Sequence, residues 1–100
     1  MPLETRPFDA SEYLDDAESI AAYLADAFES GSAEEIGDAL GVVAKAKGMS
    51  ELARQTGLSR QSLYKALSAE GHPEFATVLK VLQAVGVKLT PVPAPALAKV

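Results

Sequence analysis

Cysteine is absent from this 100-residue chain, and histidine occurs once. Without thiols there is no disulfide framework and no thiolate metal site, and one imidazole cannot assemble a structural zinc centre. Aromatic residues make up only 6% of the total, while Ala, Leu and Val carry most of a 48% hydrophobic content. That balance suits a small helical protein better than a β-sandwich. No apolar run approaches the ~18 residues that span a bilayer. The opening "MPLETRPFDASEYL" has acids where a secretory leader needs an unbroken apolar stretch. We therefore expect a cytoplasmic protein with no membrane partner.

The formal charge of −5 hides an asymmetry. From Met1 to Gly48 there are 11 acidic and 3 basic residues, a net of −8; from Met49 to Val100 there are 3 acidic and 6 basic, a net of +3. Phosphate-repelling and phosphate-seeking charge are thus separated along the chain, as expected if the two halves face different partners.

Helix signals recur from the start. Asp9 with Glu12, and Asp15 with Glu18, have capping-box spacing. Ile20, Tyr23, Leu24, Ala27 and Phe28 then follow the spacing of one helix face, and Gly31 suits the helix end. Ser32 with Glu35 starts a second helix, whose buried stripe is Ile36, Ala39, Leu40, Val43 and Ala44. Lys45 and Lys47 in its last turn complement the helix dipole, and Gly48 closes it. A short third helix is predicted over about 50–56 and a fourth over about 60–69, capped by Ser59. Pro73 fits the first turn of a fifth, with a stripe of Phe75, Val78, Leu79, Leu82 and Val85 that ends at Gly86. "VKLT" alternates as a strand does, and "PVPAP" reads as an extended tail.

The stretch around Gly57 carries the functional signal. Gly tolerates the left-handed backbone that a tight junction between two helices needs. Ala53, four residues earlier, permits close approach, and Leu52, Leu58, Leu63 and Ala66 can share a core. This is the pattern of a helix-turn-helix, whose second helix enters the DNA major groove. On a wheel of about 100° per residue with Arg60 at zero, Tyr64, Ser68, Gln61 and Lys65 fall near 40°, 80°, 100° and 140°. Leu63, Ala66 and Leu67 lie on the opposite side, so the polar arc contains no acid.

Arg60 can offer a bidentate fork to guanine, and Gln61 can pair with adenine. Tyr64 and Lys65 suit phosphates or a thymine methyl. Ser50 and Ser59, at helix N-termini, can hold phosphate oxygens that fix the docking register. The bland alternative is a solvated polar helix face, which any amphipathic helix has. The spacing of Ala53, Gly57 and the leucines, taken with the acid-free arc, favours DNA.

"GMSELA", "GLSRQSLYKALS" and "GHPEFATVLKVLQAVG", with "FDASEYLDDAESIAAYL" upstream, resemble the addiction-module antidote family, the HigA-like antitoxins with a phage-repressor-type helix-turn-helix. The resemblance covers nearly the whole chain except about the last ten residues. It implies an antitoxin of a type II toxin–antitoxin module that neutralises a RelE/HigB-like, RNA-cleaving toxin and represses their shared promoter. Where His72 stands, that family more often has Asn.

Other residues have plainer explanations. His72 lacks a nucleophile or carboxylate partner in any catalytic motif, so it reads as a turn residue. Tyr23 and Phe28 lie on an apolar stripe and read as core. Asp15, Asp16 and Glu18 suit the first turn of a helix; they could also complement a basic toxin and speed encounter.

The expected fold is all-α, with about five helices, a central lambda-repressor-like helix-turn-helix at about 49–69 and a short C-terminal β-strand. Residues 1–92 would form one domain with an N-terminal helical extension, and 93–100 a flexible tail. We expect no enzyme activity and no cofactor. The expected partners are double-stranded operator DNA, a RelE/HigB-like toxin and a second copy in a homodimer, paired through Val87 and Leu89 or through the fifth helix. The alternative function is a stand-alone phage-type repressor without a toxin.

Overall fold

The computed structural model describes residues 14–68 and 70–94. Within them the chain forms α1 (Ala17–Ser30), α2 (Ala33–Lys47), α3 (Met49–Thr56), α4 (Arg60–Ala66) and α5 (Phe75–Ala84). Among the described residues no helix is long and apolar enough to cross a membrane. The Asp9–Glu12 helix start and the last six residues of the tail lie outside the described residues.

Asp16, not Asp15, caps α1: its Oδ1 accepts from the Ser19 N–H at 2.7 Å. The capping-box spacing had pointed one residue too early. Leu14, just upstream, is buried, and so are Ile20 and Leu24, while Tyr23, Ala27 and Phe28 pack against the core from its edge. Burial, and then the nearby Asp38 carboxylate, push the Tyr23 phenol above its ordinary range. Ser32 opens α2, its Oγ accepting from the Glu35 N–H at 3.2 Å. Of the predicted stripe, Ala39, Leu40, Val43 and Ala44 are buried, whereas Ile36 is only half-buried and packs against the core from its edge; α1 packs along α2.

Two glycines of α2 are also buried, and their role is packing rather than conformation. A Cβ on Gly41 would lie 2.4 Å from the Leu67 carbonyl oxygen, and one on Gly37 would lie 2.6 Å from that of Ser68. The chain leaving α4 therefore crosses directly over bare α2 backbone. Sequence periodicity does not reveal this contact, because glycine carries no hydrophobic signal.

α3 packs on α2, α4 and α5, and Leu52, Leu63, Val81 and Leu82 fill the space between. The chain from α5 onward departs from expectation in three ways, two of them within α5 itself. α5 begins at Phe75 with Glu74 as its cap residue, so Pro73 precedes the helix instead of opening it. Its buried side is Val81, Leu82 and the adjoining Val85, whereas Phe75 and Leu79 remain 66% and 42% exposed. The helix is apolar around more than half its circumference, so spacing alone allows two rotations, and packing selects one.

The third departure concerns the expected strand. Residues 87–94 take no regular structure, and no strand occurs among the described residues. A lone strand leaves its backbone groups without a ladder. The Val87 N–H instead donates to the Leu82 carbonyl at 2.9 Å, tying the exit of α5 back onto the helix.

Candidate nucleic-acid interface

α3 ends where Gly57 adopts φ +79, and its N–H donates to the Ala53 carbonyl at 3.0 Å. That left-handed conformation is the one glycine reaches without steric cost. Thr56 supports the same corner, since its Oγ1 donates to the Leu52 carbonyl at 2.7 Å and accepts from the Leu58 N–H at 3.3 Å. A threonine half-buried at this junction is therefore satisfied by local backbone. Ser59 then caps α4, its Oγ accepting from the Ser62 N–H at 3.0 Å. Two residues, Leu58 and Ser59, thus separate the turn glycine from the start of α4.

Leu63 is completely buried and Leu67 nearly so, while Arg60, Gln61, Ser62, Tyr64 and Lys65 all face solvent. The hydrophobic side anchors α4 and leaves an edge with one Arg, one Lys and no acid. Gln61, Ser62, Tyr64 and Lys65 border one open hollow. Ser62 was not singled out from sequence; its position within "SRQS", one turn from the cap, was the available signal. The Arg60 guanidinium carbon lies 5.9 Å from the centre of the Tyr64 ring, within cation–π range. This contact joins positions i and i+4 and holds the guanidinium along the exposed edge.

Ser68 does not belong to that edge as expected. α4 ends at Ala66, shorter than the predicted span to Ala69, and the Ser68 hydroxyl donates to the Lys65 carbonyl at 3.3 Å. Helical geometry had placed Ser68 beside Gln61, but the chain has left the helix by then to cross α2. Gly71 accounts for part of that path: a Cβ there would lie 2.2 Å from the Lys65 carbonyl oxygen.

Ser50 is exposed in the first turn of α3. Next to it, Glu51 pairs with Arg54 and accepts from Gln55 Nε2 at 2.7 Å. The Arg54 contact holds the Glu51 carboxyl below its ordinary range. The single acid of α3 is thus matched within its own helix.

Asp15, Asp16 and Glu18 sit apart from these residues, exposed at the start of α1. Asp15 and Asp16 line a separate hollow with Lys47 at the end of α2 and with Gln83, Ala84, Val85 and Gly86, where the chain leaves α5. The Asp16 carboxyl lies below its ordinary range because the Ser19 backbone N–H, and then the Ser19 side chain, hydrogen-bond to it. His72 stands in the loop after α4 with φ +49. This is a left-handed position that Asn adopts readily and His less so.

A family model described as "Probable addiction module antidote protein" matches residues 4–93. An uncharacterized protein of Haemophilus influenzae is 43% identical over 88 residues, which span 88% of this chain and 91% of that relative. No solved structure matches the chain. The match along nearly its whole length places the chain in the family of probable addiction module antidote proteins, the antitoxin side of toxin–antitoxin modules.

Proposed function

We propose that this antitoxin acts through two surfaces, binding operator DNA with the α3–turn–α4 unit and a basic, RelE/HigB-like toxin with its acidic first half. The observation that carries the DNA reading is the acid-free edge of α4, Arg60, Gln61, Tyr64 and Lys65, exposed on a chain whose net charge is −5. A helix presented this way, with Leu63 buried behind it and a glycine turn before it, is the arrangement of a helix-turn-helix reading element. Arg60 and Gln61 reach base edges, whereas Lys65, Ser50 and Ser59 set the register on phosphates. Binding at the promoter of its own operon makes the protein an autorepressor. A dimer on a pseudo-palindrome supplies the two half-sites.

The test is binding of the purified protein to its own promoter fragment across salt concentrations. Arg60→Ala and Gln61→Ala should each cost on the order of 1–3 kcal/mol and relax discrimination at one base pair. Lys65→Ala should weaken binding to all sequences alike and flatten the salt dependence. If all three variants bind like the parent protein, this face is not the reading surface.

The toxin reading rests on charge. RNA-cleaving toxins carry cationic surfaces, and opposite charge accelerates encounter. Asp15 and Glu18 are the informative positions, because substituting Asp16 would also remove the α1 cap. Asp15→Lys with Glu18→Lys should slow capture of the neighbouring gene product at low salt. Unchanged association rates would move the toxin surface elsewhere. Family membership favours this antitoxin role over a stand-alone repressor.

A further inference from the structure

We propose that Tyr64 is a positioning residue for Arg60, its ring holding the guanidinium ready for a guanine edge before DNA arrives. The inference rests on the DNA reading of α4. It replaces a direct contact of Tyr64 with phosphate or thymine by a role exerted through its neighbour.

Arg54 and Arg60 stand on either side of the Gly57 turn and are held in different ways. Arg54 pairs with the Glu51 carboxylate one turn back on α3. Arg60 opens a helix that contains no acid, and the residue one turn ahead of it is Tyr64. The ring centre lies 5.9 Å from the guanidinium carbon.

These partners leave the two arginines with different capacities. A carboxylate occupies N–H donors and offsets the charge, so DNA would have to displace it first. An aromatic ring attracts the cation through its face without neutralising it, and no oxygen lone pair fills the fork. Arg60 therefore keeps its donors for guanine O6 and N7. What the ring removes is freedom. A long side chain that is already restrained loses less rotamer entropy when it binds.

Tyr64 is suited to this task. Tyrosine turns about fewer side-chain bonds than arginine, so the ring is the stiffer member of the pair. It also borders the hollow that Gln61, Ser62 and Lys65 share, which sets Arg60 beside the other polar residues of the edge. With 46% of its surface exposed, Tyr64 can be replaced without opening the core.

The test is a double-mutant cycle on the full chain bound to its own promoter fragment, with Arg60→Ala and Tyr64→Leu alone and combined. Tyr64→Leu should weaken binding roughly 2- to 5-fold, the size of a cation–π contact at an exposed site. In the Arg60→Ala background the same change should have no effect, because Tyr64 acts only through Arg60. Tyr64→Phe keeps the ring and should bind like the parent protein. In the DNA-free protein the Arg60 δ-proton NMR signals should lie upfield, shift back in Tyr64→Leu and stay in place in Tyr64→Phe. Additive losses in the cycle, an equal loss in Tyr64→Phe, or Arg60 signals unmoved by Tyr64→Leu would each overturn the proposal while leaving Arg60→Ala weakened. Failure of the DNA reading looks different: Arg60→Ala alone would bind like the parent protein, and both readings would end there.

Discussion

α2 and α4 are both amphipathic helices, yet they do opposite things with their surface. α2 runs for 15 residues, of which Gly37, Ala39, Leu40, Gly41, Val43 and Ala44 are buried, and it takes neighbours on more than one side. α4 has 7 residues, and only Leu63 is buried within it. An element that packs on several sides is fixed by volume, and even a hydrogen in place of a methyl matters there. One held by a single buried leucine, a capping serine and a glycine turn keeps most of its circumference for a partner. The molecule separates the two tasks, with charge following the same division: among the described residues the acids cluster on α1 and α2, the exposed cationic edge on α4.

The contrast can be broken most severely from behind α4. Leu63→Ala removes the completely buried anchor and should cost about 2–5 kcal/mol of unfolding free energy in a urea titration. Lys65→Ala, two residues away on the exposed edge, should leave stability within about 0.5 kcal/mol. Equal effects at the two positions would mean that α4 is not held in the way described.

Gly41→Ala should destabilise by about 1–3 kcal/mol, because the new methyl meets the Leu67 carbonyl oxygen. This is opposite in sign to the gain of ~1 kcal/mol that alanine gives over glycine in an unobstructed helix. A stabilised variant would show that the chain leaving α4 does not lie against α2.

At His72 the expected change is small and favourable. His72→Asn relieves a left-handed residue and should raise the midpoint of thermal unfolding slightly, by an amount equivalent to a few tenths of a kcal/mol. The smallest effect concerns pH. The Asp16 carboxyl is held below its ordinary range by the Ser19 N–H, so its contribution to α1 is complete above the unfolded carboxylate value of about 3.9. That contribution disappears as pH falls through the lower folded value. Asp16→Asn should make the stability profile less steep in that acidic window, with no change near neutrality. A profile unaltered in acid would assign the α1 cap elsewhere.

Much of the helical layout was legible in order and in punctuation. Ser32, Ser59, Gly31 and Gly57 mark helix boundaries by local chemistry, which neighbours in sequence suffice to express. The faces of α1 and α2 followed from spacing because each has a single apolar stripe. α5 was misread because Phe75 and Leu79 continue its stripe, and a pattern cannot say whether an apolar residue meets its own core or something beyond it. Ser68 failed for a related reason: a wheel assumes that the helix continues, and the close crossing over Gly37 and Gly41 ends it.

The sequence by itself determined the helix starts at Ser32 and Ser59, which way charge divides and that one short helix would carry an acid-free polar edge, because capping, periodicity and charge are local properties of the chain. Only the tertiary structure decided which side of α5 is buried, where α4 stops and which glycines serve as contact surfaces. Those outcomes depend on the volume and backbone of distant residues that must share one space, and no local pattern encodes that competition.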